Sequence, residues 1–439
     1  MLDLLKEIIL DFQNETLDTG VKRQLKYELV KGKAFVCIGV RRCGKSTLLY
    51  QIIEDLKRKG VKKENLLYIN FFDDRLMDIK HGNLSLISEA YYSIFPDKKG
   101  TERIYCFFDE IQEAENWEPF VDRMLRTEKC EIFISGSSAK MLSKELATQM
   151  RGRSISWELF PFSFKEYADY KKIDYKKLTS KKRLLLKKCF SEYLEKGGFP
   201  EIRNVSTKVR IKIHQEYFKT ILHRDVIERY NVIHPQAVIR AGYRLISTAG
   251  SLYSINRITS YLKSMGYKTS KGFVSACLDW FEDAYFLFSV KIFSQSASIQ
   301  NVNAKKIYCI DHSLITSVTP GFSLNIGHLL ENIVFVHLRR QTEDLFYYRT
   351  RKGKEIDFVW LDVQGIKHLV QVCSSLNETS TRKREIPSLF QAMDELNLKE
   401  SIIISLEEDE FIEKEGKKIS VIPAWKYLIM DTWKHEVVP

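Results

Sequence analysis

The chain has 439 residues, with 69 lysines and arginines against 57 aspartates and glutamates, a formal net charge of +12, and 44% hydrophobic residues. That length predicts two to four domains with a sizeable core, and no apolar run approaches the roughly 18 residues of a membrane span. The charge favours an acidic partner, with nucleic acid the first candidate and a merely solvated basic surface the plainer alternative. The eight cysteines, at 37, 43, 106, 130, 189, 277, 309 and 373, form no C-x-x-C pair, which speaks against a zinc site or a disulfide framework.

Residues 1–30 read as two short helices. The first, from Met1 to Phe12, carries acids inside its apolar pattern and is an amphipathic helix, not a signal peptide, so a cytoplasmic protein with no membrane partner is expected. Lys22 and Arg23 stand shortly before the first strand, where a basic residue could approach a nucleotide, although a solvated helix face is the simpler reading.

The apolar run Ala34–Ile38 leads into Gly39-Val-Arg-Arg-Cys-Gly-Lys-Ser46, which fits G-x-x-x-x-G-K-[ST], and an amphipathic helix follows from Thr47. A strand, a glycine loop and a helix in that order aim several backbone N–H groups and the positive helix end at one anion. The nucleotide-binding set is Gly39, Arg41, Arg42, Cys43, Gly44, Lys45, Ser46 and Thr47. Lys45 is expected to reach the β- and γ-phosphates and the Ser46 hydroxyl to bind Mg2+.

Two further strands follow, at 65–71 and 104–108, the second ending in Asp109-Glu110. An acid pair at this strand end assigns Asp109 to the metal, directly or through water, and Glu110 to activation of the attacking water. The next strand, Glu131–Ser135, runs into Gly-Ser-Ser-Ala139. Ser137 or Ser138 would sense the γ-phosphate there, and the pattern does not separate them. Arg153, with Arg151 second, could be an arginine that completes a neighbouring subunit's site, or a surface arginine paired with an acid.

The motifs Gly39–Thr47, Phe107-Phe-Asp-Glu-Ile-Gln112, Ile134-Ser-Gly-Ser-Ser-Ala139, Arg151-Gly-Arg153 and Pro161-Phe-Ser-Phe-Lys-Glu166 occur in order. With Gly197-Gly-Phe-Pro-Glu201, His223-Arg-Asp225, Leu330-Glu-Asn332 and Glu355-Ile-Asp357, the chain resembles the AAA+-type ATPases of bacteria and archaea that carry a C-terminal domain of unknown function. The resemblance covers nearly the whole chain. It implies ATP as the nucleotide and a helical lid and connector at 161–235.

Residues 236–300 read as a winged-helix-like unit whose second helix would turn Lys268, Lys271 and Ser275 to DNA. Its apolar face fits packing or protein contact better. The strand and helix order of 301–439 resembles a restriction-endonuclease-like core. By position that resemblance carries Glu331 and Asp357 to metal ligation, but its E-x-K slot holds Gln371-Val372-Cys373. Glutamine lacks the charge a divalent cation needs, and cysteine cannot replace the lysine ammonium, so no cleavage of nucleic acid is expected. The basic turn Arg349, Arg351, Lys352 and Lys354 could bind a duplex or be a solvated hairpin tip.

The expectation is therefore an α/β protein with a P-loop AAA+-like core at 31–160, a helical lid, a winged-helix-like unit and an inactive nuclease-like α/β domain. It would hydrolyse ATP with Mg2+, as a homo-oligomer, in association with DNA or with a protein partner held by the C-terminal region. A protein-remodelling or sensor ATPase is the second reading. The intact Asp109-Glu110 pair argues against a scaffold that binds nucleotide without hydrolysing it.

Overall fold

A computed structural model of the chain describes residues 1–136, 150, 152–202, 204–319, 325–362 and 364–430. They form two compact units. The first takes in Met1–Pro161 with Asp283–Tyr285. Its strands are β1 (Ala34–Ile38), β2 (Leu66–Asn70), β3 (Ile104–Asp109), β4 (Cys130–Gly136) and β5 (Ser154–Glu158). All pair parallel in the order β2-β3-β4-β1-β5. The inner strands are runs of apolar residues without alternation, because helices cover both faces of a parallel sheet. β1 is buried at every position, whereas edge strand β5 is half-buried throughout. β1 sits where the strand order reverses, with the route to β2 on one side and β5 on the other. Ligands bind at such a switch point beyond the carboxyl ends of the strands.

The N-terminal segment departs from expectation. The helix Leu2–Asn14 buries Leu5, Ile8, Ile9 and Phe12, and Phe12 stacks on Tyr68 with ring centroids 4.3 Å apart. No second helix follows in residues 15–30. Gln51, on the helix Lys45–Arg58, donates to the carbonyls of Thr19 and Val21 at 2.6 and 2.7 Å and accepts from the Arg23 N–H at 2.9 Å. Those tertiary bonds satisfy backbone groups that a helix would otherwise pair, and they override the local propensity.

The second unit comprises Phe162–Glu282 and Phe286–Pro439. It opens with the helices Phe164–Tyr170, Ser180–Lys196 and Thr207–Thr220, the last continuing as a π-helical stretch, Ile221–Glu228. Gly197 and Gly198 are needed for close approach. A Cβ on Gly197 would collide with the Ser313 side chain, and the Gly198 N–H donates to Asp311 Oδ2 at 2.7 Å. The helices Pro235–Ile246, Ile255–Ser264 and Lys271–Asp283 precede or interleave with β6 (Leu252–Tyr253), β7 (Leu287–Ile292) and β8 (Lys305–Cys309). β8 pairs antiparallel with both β6 and β7.

The expected boundary between residues 300 and 301 thus cuts through the β7–β8 hairpin, and β8 belongs with the strands before it. The sheet does not end there. β7 pairs parallel with β9 (Leu345–Arg349), which leads through β10 (Glu355–Leu361), β11 (Lys367–Val372), β12 (Glu400–Ser405) and β14 (Lys417–Pro423) to β13 (Glu410–Lys414). Ile356, Val359, Leu369, Leu389, Met393, Ile403 and Val421 fill the core between this sheet and the helix Thr379–Leu396.

Candidate active site

The glycine loop leaves β1 at Gly39, where a Cβ would collide with the Leu159 carbonyl oxygen, so only glycine fits. Arg42 (φ 66°) and Gly44 (φ 98°) are left-handed, and Gly44 caps the helix Lys45–Arg58. Successive backbone turns of this kind bend amide groups into an anion-binding concavity. Arg42 is exposed, and the Arg41 guanidinium lies 5.8 Å from the Phe72 ring centre. Cys43 is fully buried, and burial pushes its thiol up, so it packs as a neutral side chain.

Lys45 is buried, and its ammonium donates to the carbonyls of Gly39 and Val40 at 3.2 and 3.3 Å. It lies 3.6 Å from Glu110 Oε1. Burial works against its charge, but the Glu110 carboxylate and lesser neighbours outweigh burial, and the net shift is upward. Glu110 itself is left-handed at φ 53°, a costly conformation for a side-chain-bearing residue. The gain is position, since it turns the carboxylate toward the loop directly after β3. Gln112 donates from Nε2 to Glu110 Oε2 at 2.6 Å.

Asp109 is fully buried. The Tyr68 hydroxyl donates to its Oδ2 at 2.8 Å, and the Ser135 hydroxyl donates to its Oδ1. Ser135 Oγ also accepts from the Glu110 N–H at 3.1 Å, so one hydroxyl ties both acids to β4. The Ser46 hydroxyl and the Asp109 carboxylate are hard oxygen donors, a set that fits magnesium.

One residue of this site, Ser135, is not singled out by the sequence. Ser135 is legible there only as a polar residue closing an apolar strand. The two expected sensors beside it, Ser137 and Ser138, lie outside the described residues, as does Arg151. Arg23 is expected on a solvated face, yet it is 5% exposed and donates to the carbonyls of Cys43 and Phe160, each at 2.6 Å. Arg153 Nη1 lies 3.3 Å from Asp122 Oδ1 of its own chain.

In the second unit, Glu331 and Asp357 are both buried and converge, with Lys306 between them. Gln371 is buried and uses both amide atoms elsewhere, accepting from the Asp357 N–H at 3.2 Å and donating to Glu385 at 2.9 Å. Arg349, Arg351, Lys352 and Lys354 are all exposed at the β9–β10 hairpin. Lys268 and Lys271 are exposed as well, while the helix Lys271–Asp283 buries Val274, Cys277, Leu278 and Phe281. Among the described residues no helix is long and apolar enough to cross a membrane.

Comparison with known proteins agrees with this geometry. An AAA domain matches residues 31–168, and two domains of unknown function, DUF8612 and DUF4143, match 187–325 and 326–427. An uncharacterized protein of Methanocaldococcus jannaschii is 35% identical, covering 97% of this chain and 95% of the relative. An uncharacterized protein of Haemophilus influenzae is 30% identical, covering 89% and 93%. Among solved structures, a Walker-type ATPase of Pyrococcus abyssi is similar at a TM-score of 0.40 and 14% identity, over 71% of this chain and 94% of that one. The Aeropyrum pernix Orc1 protein in complex with DNA is similar at a TM-score of 0.30 and 10% identity, over 73% and 91%. The loop and its two acids lie within the residues that the AAA domain matches, which makes this part of the chain an AAA-type P-loop domain.

Proposed function

We propose that this chain, which belongs to the same family as the Methanocaldococcus jannaschii and Haemophilus influenzae proteins, hydrolyses ATP to ADP and phosphate and couples that cycle to conformational change on DNA or in a DNA-associated complex. The observation that carries the reading is the meeting of Lys45, Asp109 and Glu110 at the carboxyl ends of β1 and β3, with Lys45 and Glu110 only 3.6 Å apart.

The loop amides from Arg41 to Gly44 cradle the phosphates, and Lys45 leaves its own loop carbonyls for the β- and γ-phosphates. Ser46 and Asp109 would hold Mg2+, and the ion would neutralise charge on the phosphate oxygens. Glu110, aimed by its left-handed backbone and steadied by Gln112, takes the proton of the attacking water. Ser135 keeps both acids in register, while Ser137 or Ser138 senses the γ-phosphate. Arg153 releases Asp122 to complete a neighbouring subunit's site, which makes turnover depend on a homo-oligomer.

DNA association is supported by the exposed basic hairpin and the net charge. The winged-helix-like unit, built from the three helices and β6–β8, and a nuclease-like scaffold after it would serve that contact. The alternative, a protein-remodelling or sensor ATPase, is favoured by the helix Lys271–Asp283, which commits its apolar face to packing and offers few cations. The deciding experiment is steady-state ATP hydrolysis with and without duplex DNA at low and moderate salt. Stimulation that fades with salt supports coupling to DNA, because phosphate contacts weaken steeply with salt. Hydrolysis indifferent to DNA points to a protein partner, and absence of hydrolysis overturns the ATPase reading.

A further inference from the structure

The carboxylates Glu331 and Asp357 are where a nuclease-like core would hold its metal ion, and the lysine such a core places one strand later is missing at Cys373. The structure supplies a lysine from elsewhere. Lys306, on β8, is 1% exposed, and its ammonium lies 2.7 Å from Glu331 Oε1, 2.7 Å from Asp357 Oδ1 and 2.9 Å from Glu355 Oε1. An ammonium has three donors; two of them bond Glu331 and Asp357, and Glu355 completes the charge around it as an ion-pair partner.

The surrounding atoms are committed as well. Tyr308, two residues along β8 and so on the same face, donates to Glu331 Oε1 at 2.6 Å. Asp357 Oδ2 accepts from the Val372 N–H at 2.9 Å. Gln371 is turned to the Asp357 backbone and to Glu385.

This arrangement does not fit a divalent ion. Such an ion needs six or more oxygens at about 2.0–2.6 Å, and those oxygens already surround an ammonium. Two cations within about 3 Å of each other in a buried site would repel strongly. The lysine also does not act as a nuclease lysine would. It is enclosed by acids and held among them, with no open side toward a substrate.

We propose that Lys306 is the resident cation of this cluster. Its ammonium does permanently the electrostatic work of a metal ion, clamps β8 to β10 and to the helix Ile326–Arg339, and closes the site to divalent cations and to cleavage. The exclusion of metal comes from occupancy, so removing the ammonium exposes a carboxylate site that takes a divalent ion in its place. Without either cation, the carboxylates are left buried and mutually repelling.

The test uses the full chain without nucleotide and manganese chloride as the probe. The melting temperature of the second unit is read for the wild type, Lys306→Met, and Lys306→Met combined with Asp357→Asn. The wild type should not respond to millimolar Mn2+. Lys306→Met, which keeps the stem and loses the charge, should melt roughly 10 °C lower and regain most of that with Mn2+ in a saturable manner. The double variant should show no regain, which separates this site from the phosphate loop.

Should Lys306→Met not fold unaided, refolding from urea with and without Mn2+ gives the same reading. A folded Lys306→Met indifferent to Mn2+, or one that Mn2+ cannot refold, overturns the proposal. So does plasmid cleavage by the wild type in Mn2+ that disappears in Lys306→Met, which would make the lysine a catalytic residue.

Discussion

Arg23 donates from Nη1 to the carbonyl of Cys43, inside the phosphate loop, at 2.6 Å, and from Nη2 to the carbonyl of Phe160, two residues past the end of β5, at the same distance. A guanidinium from the N-terminal segment thus braces the loop against the sheet edge. Charge-assisted bonds of this kind contribute about 1.5–3 kcal/mol each, and a buried carbonyl left without a donor adds to the loss. Arg23→Met should therefore lower the stability of the first unit by about 3 kcal/mol in urea unfolding. It should also weaken ATP binding about tenfold in a fluorescent-nucleotide titration, although Arg23 touches no phosphate. Unchanged affinity in a folded variant would show that the loop shapes itself.

Substitutions at Lys45 and Glu110 should separate binding from chemistry. Lys45→Ala should abolish nucleotide binding in the same titration. Glu110→Gln should leave binding within a few-fold and slow hydrolysis by about 100-fold or more, the usual loss with a general base. A Glu110→Gln enzyme that turns over at the wild-type rate would remove Glu110 from the mechanism.

Ser135 is the simplest test of how the acids are held. Ser135→Ala removes the donor to Asp109 and the acceptor of the Glu110 N–H, which the left-handed backbone at Glu110 relies on. The expected result is about a tenfold drop in kcat with a smaller change in KM, because the acids lose alignment while the phosphate cradle stays intact. Ser135→Thr, which keeps the hydroxyl, should recover part of the rate.

His214 gives the second unit an acid sensitivity. It is fully buried, with Nδ1 2.8 Å from Ser317 Oγ, and burial pushes its imidazole down from 6.5 to about 4. A base with a depressed folded pKa stabilises above its unfolded value and loses that contribution as pH falls. The loss should therefore run from about pH 6.5 to about pH 4 and reach about 3 kcal/mol. Melting of the second unit between pH 7 and pH 4.5 should show it, and a well-packed His214→Gln variant should flatten the slope.

The basic hairpin should set the salt dependence of any DNA binding. Replacing Arg349, Arg351, Lys352 and Lys354 together by alanine should weaken duplex binding. It should also reduce the slope of log affinity against log salt by up to about 4, since each phosphate that keeps its counterion lowers the slope by about one. A weaker affinity with an unchanged slope would assign phosphate binding to another surface.

The α/β class and the P-loop core were legible in the sequence because their determinants are local. A glycine that must clear a carbonyl, a left-handed cap and a lysine one residue later lie within Gly39–Ser46. β1 through β4 announce themselves as short apolar runs bounded by polar residues. The absent second N-terminal helix and the boundary drawn through the β7–β8 hairpin were not legible. In both places distant partners decide the outcome, Gln51 for the backbone of residues 19–23 and β6 and β7 for β8.

The same division runs through the sites. Sequence alone determined the glycine loop, the acid pair at the end of β3 and the helix after the loop, since these follow from local backbone preference. Only the tertiary structure decided which groups hold them. Ser135 reaches Asp109 across a strand pair, Arg23 reaches Cys43 from a segment without helix, and Lys306 reaches Asp357 across 51 residues of chain. A buried charge is tolerated only where opposite charge meets it, and that meeting is a property of packing, which no local pattern records.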